Sequence, residues 1–133
     1  DNRFIPALEA FNYILYKYPT SEYINKVKIW KEKVHIRLDQ NNYAIDNLKE
    51  LLEEQNLTKE ERYLANSYIA QAFINTEKLD SSLFYLKKSV FKQKDLLLNT
   101  RRKFLLAQLS CNILTVTGIL FFQSLSNNKV VKA

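Results

Sequence analysis

The sequence predicts an all-α chain, and three observations carry that expectation. Across 133 residues there are one Gly and two Pro, too little turn punctuation for a sandwich or barrel of many short strands. Apolar residues recur at spacings of three and four along most of the chain, which places them on one face of successive helices. The apolar pattern then repeats along the chain at shifts of 37 and 38 residues. A period of that size holds two short helices and marks a solenoid, in which each unit buries its apolar face against its neighbours.

Phe4, Ala7, Leu8, Phe11, Ile14, Leu15 and Tyr18 form the first stripe, on a helix expected from about Pro6 to just before Pro19. Thr20 and Ser21 offer N-cap oxygens for a second helix through Tyr23, Val27, Trp30, Val34 and Leu38. Residues 39–42 (Asp39, Gln40, Asn41, Asn42) read as a turn. Ala44, Ile45, Leu48, Leu51 and Leu52 then give a third stripe, closed by Gln55 and Asn56. Thr58 followed by Glu61 is a capping box that opens a fourth helix, continued by Tyr68, Ile69, Ala72 and Phe73 to about Asn75. Asp80 or Ser81 is expected to cap a fifth helix through Leu83, Leu86 and Val90, and a sixth begins near Asp95. The β-branched run from Ile113 to Thr117 fits a helix poorly, and a seventh helix is expected near Gly118 to Leu125.

The repeat is specific at small residues. Ala7-Leu8 and Phe11 fall on Ala44-Ile45 and Leu48, then on Ser82-Leu83 and Leu86. Ile69-Ala70-Gln71 falls on Leu106-Ala107-Gln108. Ala7, Ala44, Ser82, Ala70 and Ala107 are therefore expected where helices cross most closely, since a bulkier side chain there costs roughly 1–3 kcal/mol by overpacking.

On these residues the chain resembles the tetratricopeptide repeat family over nearly its whole length. Ala7, Phe11, Ile14 and Pro19 look like the second half of one repeat, and Ile69, Ala70 and Phe73 like the first-helix pattern. The resemblance implies a right-handed superhelical solenoid of antiparallel helix pairs, with about six or seven helices. Its units would be a half repeat at 1–20, repeats at 21–56 and 57–93, and the first helix of a further repeat at 94–112. Residues 113–133 would be a degenerate last helix and polar tail. Lys31, Glu32 and His35 depart from the first-helix pattern, and the spacings exceed the usual ~34 residues, which predicts an unusually long second helix. An array that opens on a half repeat is expected to be a fragment or a unit of a larger one. A narrower likeness, Ala10-Phe11 and the run Tyr18 to Tyr23, is similar to repeat lipoproteins of outer-membrane assembly and of gliding and type IX secretion. It implies the periplasmic side of an outer membrane, with the cytoplasm as the alternative.

Catalysis is the disfavoured class. His35 is the sole histidine and Cys111 the sole cysteine, so no histidine-rich metal site, disulfide or cysteine-paired zinc site can form within the chain. Ser110 and Asn112 do not activate Cys111, which reads as structural, and the lone Gly118 rules out a glycine-rich phosphate loop. No cofactor is expected.

Binding is the positive signal. Ser67, Gln71 and Asn75 recur at i, i+4 and i+8, and Phe104, Gln108 and Asn112 take the same places 37 residues later. In the family, first helices line the concave surface. These positions would then form a polar ladder for a protein or peptide partner, because amides both donate and accept.

Charge adds two rival readings. The net charge is +6, with acids dominating from Asp46 to Glu61 and Lys87, Lys88, Lys92, Lys94, Arg101, Arg102 and Lys103 facing only Asp95. That basic segment allows nucleic-acid binding, but it carries no reading motif or stacking platform. Residues 104–125 lack charge between Lys103 and Lys129 and are long enough to span a bilayer, though Gln108, Ser110, Asn112, Gln123 and Ser124 interrupt them. An upstream lipid anchor is the other route to a membrane.

Overall fold

A computed structural model describes residues 3–90, 100–112, 115 and 123, and among these every regular element is an α-helix. Five helices, α1 (Phe4–Lys17), α2 (Ile24–Arg37), α3 (Asn41–Glu53), α4 (Lys59–Asn75) and α5 (Leu79–Lys88), precede a sixth, α6, spanning 100–112. The described residues contain no strand. The expected seventh helix near Gly118 to Leu125 and the start of the sixth near Asp95 lie outside them, apart from Gln123.

Helix boundaries follow local hydrogen bonding, and several differ from the sequence expectation. Helix α1 starts at Phe4, so Pro6 sits in the first turn, where its missing N–H would have had no intrahelical acceptor. It stops at Lys17, one residue short of the position preceding Pro19, and the Tyr18 amide donates to the Ile14 carbonyl. Ser21 does not cap α2: its Oγ accepts from the Tyr23 amide at 3.3 Å, and Tyr23 is the N-cap residue. Turns at Tyr18 to Ser21 and Ser21 to Ile24 use up this stretch, so α2 has 14 residues. The longer first helix is α4, with 17, because the capping box forms as expected: Glu61 N donates to Thr58 Oγ1 at 3.2 Å and Thr58 N to Glu61 Oε2 at 2.8 Å.

Two equivalent turns set the period. After α2, Asp39 takes φ 62°, with Gln40 N donating to His35 O and Asp39 N to Ile36 O. After α4, Glu77 takes φ 59°, with Lys78 N donating to Phe73 O and Glu77 N to Ile74 O. Both are Schellman closures, which satisfy carbonyls that a helix end leaves open. A left-handed residue other than Gly costs roughly 1–2 kcal/mol, which these two bonds offset in a chain with almost no glycine. The closures need only residues 38–40 and 76–78, so α3 already starts at Asn41, inside the expected turn. For the same reason α5 starts at Leu79, its N-cap is Lys78, and neither Asp80 nor Ser81 caps it.

Side-chain contacts fix the helix directions. The start of α2 meets the end of α3 through Lys28 Nζ and Glu54 Oε1 at 2.9 Å, while His35 and Tyr43 meet edge to face at 4.9 Å at the other end. The start of α4 meets the end of α3 through Arg62, and its end meets the start of α3 through Asn75. Helix α3 therefore runs antiparallel to both α2 and α4, and α2 also packs directly on α4. One apolar cluster joins Ile29, Ile36, Ala44, Ile45, Leu48, Leu51, Ile69 and Phe73; a second joins Ala70, Leu86 and Leu109.

The repeat positions fall into two groups. Ala44 and Ser82 are wholly inaccessible, and Leu48, Leu86, Ala70 and Phe73 are also buried. Ala7 and Phe11 are half-buried, and Pro19 and Ala107 are exposed. Ala7 and Ala107 thus do not occupy tight crossings: among the described residues only α2 packs on α1, and no helix covers the Ala107 side of α6. At the Ala44-equivalent position the Ser82 hydroxyl has no hydrogen-bond partner among the described residues. Ser82→Ala is therefore expected to raise stability by ~1 kcal/mol, by removing a desolvated polar group without changing the packing; urea unfolding measures it. An unchanged or lower midpoint would show that the hydroxyl is satisfied.

Candidate protein-interaction surface

The 38-residue spacing of the two closures gives the register of the first helices, which composition alone does not. Lys33 and Arg37 on α2 are equivalent to Gln71 and Asn75 on α4, and these to Gln108 and Asn112 on α6 at a shift of 37. All six are exposed. Ser67, the third expected member on α4, is half-buried, and Phe104 on α6 is 67% exposed. The helices carrying this row touch in series. Lys33 Nζ lies 5.8 Å from the Tyr68 ring centroid, joining α2 to α4, and Ala70 packs with Leu109, joining α4 to α6.

The amides of α4 are held in place. Gln71 Nε2 donates to Asn75 Oδ1 at 3.0 Å, Asn75 Nδ2 to Asn41 Oδ1 at 3.0 Å, and Asn41 Nδ2 to Asp39 Oδ1 at 2.7 Å. This relay runs from the exposed face of α4 to the turn between α2 and α3. It orients the two amides while leaving the Gln71 carbonyl oxygen and the remaining amide hydrogens for a ligand. At the α2 end of the row, burial pushes the Tyr68 phenol above its usual range, against the pull of the Arg102 and Arg37 guanidiniums. Positive charge from two helices thus acts on the same phenol. Arg102 is itself buried and donates from Nη1 to the Ser89 carbonyl at 3.1 Å.

Lys33 and Arg37 were not among the sequence-derived candidates. The available signal was the 38-residue shift of the second helices, carried back onto the first. It was hidden because the neighbouring positions on α2 break the pattern: Glu32 and His35 stand where α4 has Ala70 and Phe73. Both are buried, and they pair with each other, His35 Nδ1 to Glu32 Oε2 at 2.8 Å, so a polar couple fills an apolar slot.

The other candidates do not converge. Among the described residues no group of His, Cys, Asp or Glu could hold a metal. Cys111 is exposed. No described helix is long and apolar enough to cross a membrane; within the segment 104–125, residues 113–114, 116–122 and 124–125 lie outside the described residues. The basic stretch loses Lys92 and Lys94 to the same limit. The chain matches no family model and no curated protein.

Proposed function

We propose that this chain is a non-enzymatic protein-interaction scaffold, a tetratricopeptide-like solenoid whose first helices present a polar row to an extended segment of a partner. The observation that carries this reading is the row itself. Register-equivalent polar side chains stay exposed on α2, α4 and α6, while Ala44 and Leu48 of α3 and their equivalents Ser82 and Leu86 of α5 are buried. A row that repeats from helix to helix suits a ligand that also repeats, and an extended peptide offers a donor and an acceptor at every residue.

Selection of random linear peptides displayed on phage against the chain tests the reading. Selected peptides are expected to bind about tenfold more weakly to the Gln71→Ala/Gln108→Ala variant, a loss of ~1.4 kcal/mol. Both residues are exposed, so melting should be nearly unchanged. Peptides indifferent to both substitutions would place any binding elsewhere, and an empty selection would count against a peptide-binding scaffold.

A further inference from the structure

We propose that α2 carries a binding stripe for single-stranded nucleic acid, with Tyr23 and Trp30 stacking on bases and Lys26, Lys33 and Arg37 neutralising the phosphates between them. The stripe needs none of the amides of α4 and α6, so it stands apart from the peptide reading of those positions.

Tyr23, Lys26, Trp30, Lys33 and Arg37 follow one another at spacings of three and four, so they share one face of α2 and its N-cap. Tyr23 is 55% exposed and Trp30 40%, whereas Val27 and Ile29 of the same helix are buried. The covered part of Trp30 holds the ring in place, and the open part is a rigid apolar surface facing water. Among the described residues no other ring and no cation stacks on it. The cations beside it are equally uncommitted. Lys26, Lys33 and Arg37 form no ion pair among the described residues, whereas Lys28 of the same helix is paired with Glu54. Lys26 Nζ lies 6.0 Å from the Tyr23 ring centroid and Lys33 Nζ 5.8 Å from that of Tyr68, so each ammonium is gathered beside an aromatic ring.

Acids are kept away from this surface. From Ile24 to Arg37 the one acid is Glu32, which is buried against His35, and residues 62–75 and 100–112 contain none. Arg101 stands exposed on α6 at the position equivalent to Lys26. The exposed acids Asp46, Glu50 and Glu53 lie instead on α3. Charge is thus segregated between first and second helices, and the first helices present a field that attracts a polyanion. The order of residues along α2 selects the polyanion. Flat bases alternate with phosphates along a nucleic-acid strand, as rings alternate with cations from Tyr23 to Lys33. An acidic peptide offers carboxylates but nothing flat for Trp30. A duplex keeps its base faces stacked on one another, which leaves the single strand.

The test measures fluorescence anisotropy on the intact chain with a labelled oligothymidylate, an abasic deoxyribose-phosphate oligomer of equal length, and polyglutamate. The oligothymidylate is expected to bind, and the other two about tenfold or more weakly. Trp30→Leu should lower its affinity roughly five- to 150-fold, the worth of one stacked base, and Trp30→Phe should recover part of the loss. Lys26→Gln/Lys33→Gln should weaken binding and also flatten the dependence of log affinity on log salt, by about 0.7 for each phosphate contact removed. Each variant is compared at matched circular dichroism, and the salt slope is a readout that a merely structural role would not move. Gln71→Ala/Gln108→Ala should leave oligothymidylate binding unchanged, so the stripe and the peptide row stand or fall separately. Abasic oligomer or polyglutamate binding as tightly as oligothymidylate would reduce the stripe to a general anion surface and overturn the assignment. Full affinity in Trp30→Leu would do the same, and an oligothymidylate that fails to bind at low salt would overturn it outright.

Discussion

Replacing Leu48 by Ala is expected to destabilise the chain by about 2–5 kcal/mol, the largest single-site effect anticipated here. Leu48 has no accessible surface and lies in the cluster with Ile29, Ile45, Leu51 and Ile69, which come from α2, α3 and α4. Truncation removes the transfer free energy of the deleted carbons and leaves a cavity that three mutually braced helices cannot close. A domain of this kind has only ~5–15 kcal/mol of total stability, so the variant should lose a large part of it. Urea unfolding followed by circular dichroism measures the shift, and Leu52→Ala, at a half-buried position of the same helix, should lose clearly less. A loss below about 1 kcal/mol for Leu48→Ala would mean that the three-helix packing is not what holds the core.

Arg62→Met should cost about 2–3 kcal/mol through a different mechanism. The Arg62 guanidinium donates from Nη1 to the Leu52 carbonyl at 2.7 Å and from Nη2 to the Glu54 carbonyl at 2.6 Å. The Leu52 carbonyl belongs to the last turn of α3, where helix geometry leaves no intrahelical amide to fill it, and the positive charge also opposes the negative end of the helix dipole. Methionine keeps a comparable aliphatic stem and removes only the fork. Lysine should recover part of the loss, because an ammonium carries charge but lacks the planar pair of donors. Thermal melts of the three proteins decide the matter: Lys and Arg of equal stability would rule out the fork as the source.

These two sites show how unevenly the fold was legible. Leu48 could be placed in the core from the sequence, since the 37- and 38-residue shifts align it with Phe11 and Leu86 and its stripe has helical spacing. The capping box at Thr58 and Glu61 was equally readable, because the interaction lies within four residues. Arg62 was not, since its acceptors are main-chain atoms eight and ten residues back on another helix. The caps expected at Ser21 and at Asp80 or Ser81 went wrong for a related reason. Before α5 the left-handed closure at Glu77 already positions the next helix start, and before α2 the turns from Tyr18 to Ser21 and Ser21 to Ile24 do so, so backbone hydrogen bonds replace a capping side chain at both.

The sequence by itself determined the helical class, the number and order of the helices that carry clear stripes, and the small residue between α3 and its neighbours, because each follows from short-range spacing or from a repeated pattern. Only the tertiary structure decided the register of α2 against α4. There Glu32 and His35 occupy positions that are apolar in α4, and they are tolerated because the two buried polar groups satisfy each other. That pairing, invisible to any pattern of hydrophobic residues, masks the equivalence of Lys33 and Arg37 with Gln71 and Asn75, which the matching closures at Asp39 and Glu77 bring into view.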